Sequence, residues 1–362
     1  PPGDRAVGEG TESATDDDIP SGSEVTQDLT ANNRADNNTA FAIQASLVFA
    51  YDYLVARNGA PFPPVPVVFP DRSGSFFDGT RLHLLRLDRW DWDVSLHEYG
   101  HYLAPLLDIE DNPGGPHSGS DNLSDTRGSK SIGIRLAFGE GWPTFFAVSS
   151  LFETANGLGI PRVGDTKYQD TEDQVITDDL EVTAGARLGE DNELTVTNIL
   201  WDLFDAVGDG LDTTTLGAQG VWDGLDDNDP VTLSQAYRGF SPGQGDTGVN
   251  CVFTQMNVSP RVNGARVTGV TLDSPPPRLS WTRGNGGSHR NDVFELRFRD
   301  AGGTPLFSTA RRPTTSFVPS AARWRSLLQG SGGTLRVAVI ARQTDSPVTG
   351  PYRSCERRFV VT

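Results

Sequence analysis

The sequence predicts an α+β protein in which a helix-rich first part is followed by an all-β sandwich. Two observations carry this. Up to about residue 260, apolar residues recur at helical spacing in several long stretches, with only a few short alternating runs among them. Beyond Pro260 the pattern changes to short alternating runs at 278–281, 293–298, 304–307, 316–318 and 335–341, separated by Gly and Pro turns. A chain of 362 residues is long enough for two such domains. The expected division is a loosely attached segment 1–24, a first domain over 25–262 and the sandwich over 263–362.

Hydrophobic residues make up 36% of the chain and charged residues 22%, so a packed core is feasible. A net charge of −18 argues against nucleic acid, because phosphate binding needs a basic face. The acidity is read as solubility in a saline or extracellular medium. No signal peptide is visible at Pro1, and the chain is expected to have been processed or trimmed. The apolar stretch Ala40–Val55 is broken by Gln44 and Asp52, so it reads as a core helix and not as a membrane span. The two cysteines suit one bridge in an exported protein. A Cys251–Cys355 disulfide would tie the end of the first domain to the last strand of the second.

The elements follow in order. Residues 1–24 are rich in Gly, Pro, Ser and acid and have almost nothing to bury. A helix is expected over 26–55, with Phe41, Ala45, Val48 and 51–54 on one side. The Pro-rich run 61–66 ends it and introduces a strand at 67–69. Residues 81–87 alternate as a second strand. A helix over 90–104 has Asp91 or Asp93 to cap it and Pro105 to stop it. A long loop spans 108–133, and two further helices are expected at 138–152 and 193–206. In the last 100 residues, 275–281 and 348–352 are expected as the first and last strands of the sandwich.

The chemistry centres on His97-Glu98-Tyr99-Gly100-His101, an HExxH motif. On a helix, positions four apart lie one turn up the same face, so both imidazoles can reach one metal ion. Glu98 is then placed to take a proton from a water activated at the metal. Two of only five histidines in the chain fall in this motif. Catalytic zinc sites use three protein ligands and keep one position open. His101 is followed by Tyr-Leu-Ala-Pro-Leu-Leu, which excludes a third His six residues further on. Glu140, in Phe138-Gly-Glu-Gly-Trp142, is the remaining candidate for the third ligand. Gly139 and Gly141 are expected to let the backbone approach the metal, and Pro143 to sit in a first helical turn.

The pair HEYGH and GEGWPTFFA resembles the zinc sites of the Glu-ligand metallopeptidases, the gluzincins, and within them the fungalysin group. The likeness spans residues 36–206 and is specific at those two motifs. It implies zinc held by His97, His101 and Glu140, with Glu98 as general base. It also implies a two-lobed zincin-like catalytic domain with the HExxH helix at the cleft, and a substrate lying along an edge strand, expected at 81–87. Two departures stand out. Thr144 occupies the position where the group carries an Asp one turn after the Glu ligand, and no His lies between 118 and 288 to stabilise an oxyanion. Tyr168 and Arg187 are the candidates for that task. The C-terminal strands resemble a fibronectin type III-like module.

The function so implied is that of a secreted or cell-surface zinc metalloendopeptidase acting on a protein or peptide. The alternative is a zinc domain with weakened turnover that serves as an extracellular binding or adhesion module. An exopeptidase is disfavoured, since the GxMEN amine-binding motif is absent and Met256 is the only Met. His117 reads first as an exposed loop residue, with a place lining the site as the alternative, and His83 and His289 read as structural or exposed. The acidic turns 208–212 and 226–229 could take Ca²⁺ but lack EF-hand spacing. Trp201, Phe204 and Trp222 read as core.

Overall fold

A computed structural model describes residues 37–60, 62–109, 111–171, 176–181, 189–208, 210–241, 247–345 and 349–362. The expected tail 1–24, the first turns of the first helix, Arg187 and Val348 lie outside the described residues. In chain order the elements begin with helix α1 (Asn37–Asn58) and strands β1 (Val67–Asp71), β2 (Phe76–Phe77) and β3 (Leu82–Leu85). Helices α2 (Trp92–Leu103), α3 (Leu123–Thr126) and α4 (Lys130–Ala155) follow, then strands β4 (Lys167–Asp170) and β5 (Ile176–Asp179). Next come α5 (Glu193–Phe204), α6 (Gly217–Asp226), α7 (Leu233–Phe240) and α8 (Thr247–Gln255). The C-terminal region holds β6 (Val267–Val270), β7 (Leu279–Ser280), β8 (Val293–Arg299), β9 (Pro305–Ser308) and β10 (Ser316–Phe317). Helix α9 (Ala321–Gln329) and strands β11 (Thr334–Arg342), β12 (Tyr352–Arg353) and β13 (Arg357–Val361) complete it. The fold is α+β, helical with small sheets first and a mixed sheet last.

Contacts divide the chain into two units, 1–106 with 146–179 and 107–145 with 180–362. In the first, α1 packs on α2, and Phe49 meets Trp92 at 5.7 Å between ring centroids. The apolar run of α1 is longer than its sequence pattern implied. Its Thr39–Asn58 stretch has the length and composition to cross a membrane, yet it buries Ala42, Ile43, Ala50, Tyr53 and Leu54 in the fold. Strand β3 lies in the middle of its sheet, parallel to β1 and antiparallel to β2. Within the segment 81–87 expected to offer an edge to substrate, Leu82 and His83 are paired on both sides, because residues 72–81 fold Phe76 and Phe77 back onto them.

His83 on β3 locks this sheet. Its Nδ1 is 2.9 Å from Asp71 Oδ2 and its Nε2 is 2.9 Å from Asp78 Oδ2, and Phe76 stacks on the ring at 4.5 Å. The two carboxylates raise the His83 pKa above 6.5. Hydrogen bonds from Ser73 and His83 depress Asp71, and those from His83 and Thr80 depress Asp78.

The two acids expected to cap α2 do a different job. Asp91 stands at the cap position, but no side chain closes that helix end. Its carboxylate instead accepts from Thr171 N at 2.8 Å and from Thr171 Oγ1 at 3.0 Å, and Asp93 accepts from Gln169 N at 3.0 Å. Both are buried, and burial pushes Asp93 well above the usual carboxylate range. The β4 backbone is thus tied to the start of α2 along one edge and paired with β5 along the other.

In the second unit, β11 is the spine of a sheet ordered β6-β13-β11-β8-β9, with β12 also on β11. Leu335, Val337, Val339 and Ala341 alternate into a core with Phe294, Leu296, Phe298 and Phe359. The expected all-β sandwich needs correction in two respects. Helix α9 buries Trp324, Leu327 and Leu328 in that same core, and β6 pairs with β13 in parallel. The outermost strands also lie beyond those expected, at 267–270 before and 357–361 after. Three segments left unassigned in the sequence, α6, α7 and α8, are short helices of 10, 8 and 9 residues.

The Cys251–Cys355 bond is present and joins α8 to the turn between β12 and β13. Closing a loop of 104 residues should stabilise the fold by roughly 3–5 kcal/mol through the unfolded state. Urea unfolding with and without reductant measures this, and a midpoint unmoved by reduction contradicts it.

A second expectation concerns His83. Its contribution to stability is full below about pH 6.5 and is lost as pH rises through its raised folded value. The Asp71 and Asp78 contributions are full above about pH 4 and are lost as pH falls through their depressed values. Hydrogen-exchange protection of the β1–β3–β2 sheet, corrected for intrinsic rates, should peak between these limits. His83→Gln should remove the alkaline decline.

Candidate metal centre

Helix α2 presents His97 and His101 one turn apart, half-buried, while Val94, Leu96, Tyr99 and Leu103 turn into the core. Their Nε2 atoms are 3.1 Å from each other. Glu98 is buried beside them. Tyr168, on the tethered strand β4, brings its ring to 5.8 Å from that of His97.

Glu140 comes from α4. This helix is far longer than the expected 138–152, running for 26 residues with Pro143 inside it. Pro143 is therefore not in a first turn. Its missing N–H leaves the Gly139 carbonyl without the usual helical donor. In its C-terminal half, Phe146 meets Tyr53 at 6.1 Å and Tyr99 of α2 at 6.2 Å. One ligand atom from each of His97, His101 and Glu140 lies within 4.8 Å of the others.

The flanking glycines serve a purpose other than the one expected. A Cβ at Gly139 would lie 2.7 Å from Asn112 Cβ, and one at Gly141 would lie 2.6 Å from the Glu193 carbonyl oxygen. They admit Asn112 on one side of α4 and helix α5 on the other. Thr197 of α5 also donates to the Gly141 carbonyl at 3.0 Å. Thr144 donates its hydroxyl to the Glu140 carbonyl at 3.1 Å.

Two residues stand closer to Glu140 than the sequence indicated. Asn112 Nδ2 donates to Glu140 Oε1 at 2.9 Å. His117 Nε2 lies 3.6 Å from Glu140 Oε2 and 3.9 Å from Glu193 Oε2, with Nδ1 3.0 Å from the Gly115 carbonyl. The only sequence signal for them was their place in a long Gly-rich loop after the HExxH helix. His83 and His289 belong elsewhere, His83 in its sheet and His289 fully buried against Glu190 at 2.7 Å. Trp201, Phe204 and Trp222 are core. Among the described residues, neither acidic turn gathers three ligands around one point.

His97, His101 and Glu140 can hold a metal ion. Two nitrogens bound tetrahedrally at about 2.0–2.1 Å from zinc stand about 3.3 Å apart, close to the spacing between these two imidazoles. Two imidazoles and one carboxylate are also a donor set that zinc accepts. Compared with known proteins, no family model matches the chain, and no curated protein matches it. The site is therefore argued from its own geometry.

The resulting expectation is about one zinc per wild-type chain by elemental analysis, largely lost in Glu140→Ala purified alongside it. A metal-free wild type, or a variant that keeps its zinc, rules out this ligand set.

Proposed function

We propose that the protein is a secreted zinc metalloendopeptidase of the Glu-ligand type. The observation that carries the reading is the convergence of the HExxH pair with Glu140 from a second helix. The two-lobed zincin-like arrangement and the fibronectin-like character of the C-terminal region belong to the same proposal. In it the C-terminal region positions the catalytic part or binds a surface. The disulfide fits an oxidising, extracellular compartment.

A bound zinc would supply Lewis acidity, bringing the pKa of water toward about 7 and polarising a peptide carbonyl. The remaining work falls to the chain. Glu98 takes a proton from the attacking water and returns it to the leaving amine. Its burial beside His97 excludes bulk water from that transfer. The Tyr168 hydroxyl is offered to the carbonyl oxygen as charge develops there, on a strand that Asp91 and Asp93 hold against α2. His117 is a second imidazole on the Glu140 side, where the downstream sequence supplies none.

One observation favours the non-catalytic alternative. Thr144 stands where the resemblance implies an acid, and its hydroxyl, which donates to the Glu140 carbonyl, is a weaker partner for a ligand histidine than a carboxylate. Cleavage of an internally quenched peptide with both ends blocked separates the readings. Glu98→Gln should lower kcat by about 10²–10⁴-fold and leave the zinc content unchanged. Wild-type activity in that variant removes Glu98 as the base. A zinc-loaded wild type without turnover favours the binding module.

A further inference from the structure

Segment 111–121 is held by α4 and by the start of α5, and its contacts fix polar groups. Arg135 of α4 donates to Asp111 at 2.7 Å. Gly114 N donates to Asn112 Oδ1 at 2.8 Å, which sets the orientation of the Asn112 amide. The other end of that amide, Nδ2, is then left to donate to Glu140 Oε1. Further along, Asn192 Nδ2 donates to the carbonyls of Gly119 at 2.7 Å and Asp121 at 3.0 Å. The loop carries Asn112 against α4 at Gly139, where no side chain stands in its way.

We propose that Asn112 is the positioning residue for the third metal ligand. By holding Oε1 of Glu140, its amide fixes the plane in which the carboxylate is presented to the metal. This rests on the assignment of Glu140 as a metal ligand. The role suits a neutral amide. A carboxylate in place of Asn112 would set two like charges together, and a Lys or Arg there would compete with the metal for Glu140. Hydrogen bonds to ligating groups typically contribute about 10–100-fold in metal affinity.

Gly139 gives an independent way to test it. Alanine there would place a Cβ 2.7 Å from Asn112 Cβ, 2.8 Å from Cγ and 2.9 Å from Nδ2, and so drive the amide off Glu140. Within a helix, Ala is otherwise more favourable than Gly. Helix propensity alone thus predicts a neutral or stabilising change, and only the clash with Asn112 opposes it.

Zinc affinity is measured by chelator competition on the full chain for wild type, Glu140→Ala, Asn112→Ala, Gly139→Ala and the Asn112→Ala/Gly139→Ala double variant. Melting temperatures of the metal-free forms are recorded beside them. The expected result is a loss of about 10–100-fold for Asn112→Ala and for Gly139→Ala, and a larger one for Glu140→Ala. The double variant should show a loss smaller than the product of its two singles, since the part of the Gly139→Ala effect that acts through the amide is then already gone. The metal-free melting temperature of Asn112→Ala should stay near that of wild type. Wild-type affinity in Asn112→Ala, with zinc still lost in Glu140→Ala, overturns the role of Asn112 and leaves the ligand set standing. Additive losses overturn it as well, since the two substitutions would then act separately. A wild type that binds no zinc, or a Glu140→Ala that binds it normally, overturns the ligand assignment itself and the positioning role with it.

Discussion

The close approach of other backbone and side chains to α4 at Gly139 and Gly141 is the constraint on which the site depends. Each missing Cβ admits a neighbour that touches the Glu140 region from one side, the Asn112 loop at Gly139 and the start of α5 at Gly141. Glu140 is buried between two positions that carry no side chain. A buried carboxylate without partners is costly. Here it has the Asn112 amide and, nearby, the His117 imidazole. A helix with three glycines and an internal proline would be weak in isolation. Packing on both sides of α4 compensates for that.

The start of α5 is in turn anchored by three consecutive buried residues, Glu190, Asp191 and Asn192. Glu190 accepts from the Tyr352 hydroxyl, from Asn285 at 3.0 Å and from His289. Burial alone would lower the His289 pKa, but the Glu190 carboxylate outweighs it and the net shift is upward. The Asp191 carbonyl accepts from Leu123 N at 2.8 Å. Asn192 caps α5 through Thr195 N and also holds the long loop by its amide nitrogen. Residues far apart in the chain thus meet at one tripeptide. This is why 107–145 groups by contacts with the C-terminal region.

Much of the secondary structure was legible. The HExxH helix, the α5 helix and the five C-terminal strands stand close to where periodicity places them, because apolar spacing along an element reports which face it buries. The helix α7 could have been read as well. Thr232 caps it, and Leu233, Ala236, Tyr237 and Phe240 recur at helical spacing and are buried. Helix α4 starts eight residues before the expected 138, because the Gly- and Ser-rich composition of 108–133 extends the expected loop over its first turn. The Asp91 and Asp93 carboxylates were read as caps by proximity in sequence, whereas β4, some 76 to 80 residues away, offers them backbone donors.

The sequence by itself determined the donor types and their local spacing. Two imidazoles four residues apart on a helix share a face whatever surrounds them, and the GEG segment marked Glu140 as the acid to add. The disulfide pairing followed from there being only two cysteines. Only the tertiary structure decided which side chains surround Glu140, why its neighbours are glycines, and that β3 is a central strand. Asn112, His117 and Tyr168 come from segments with no periodic pattern of their own. Their positions depend on contacts made across the fold, and no local rule of the chain encodes these.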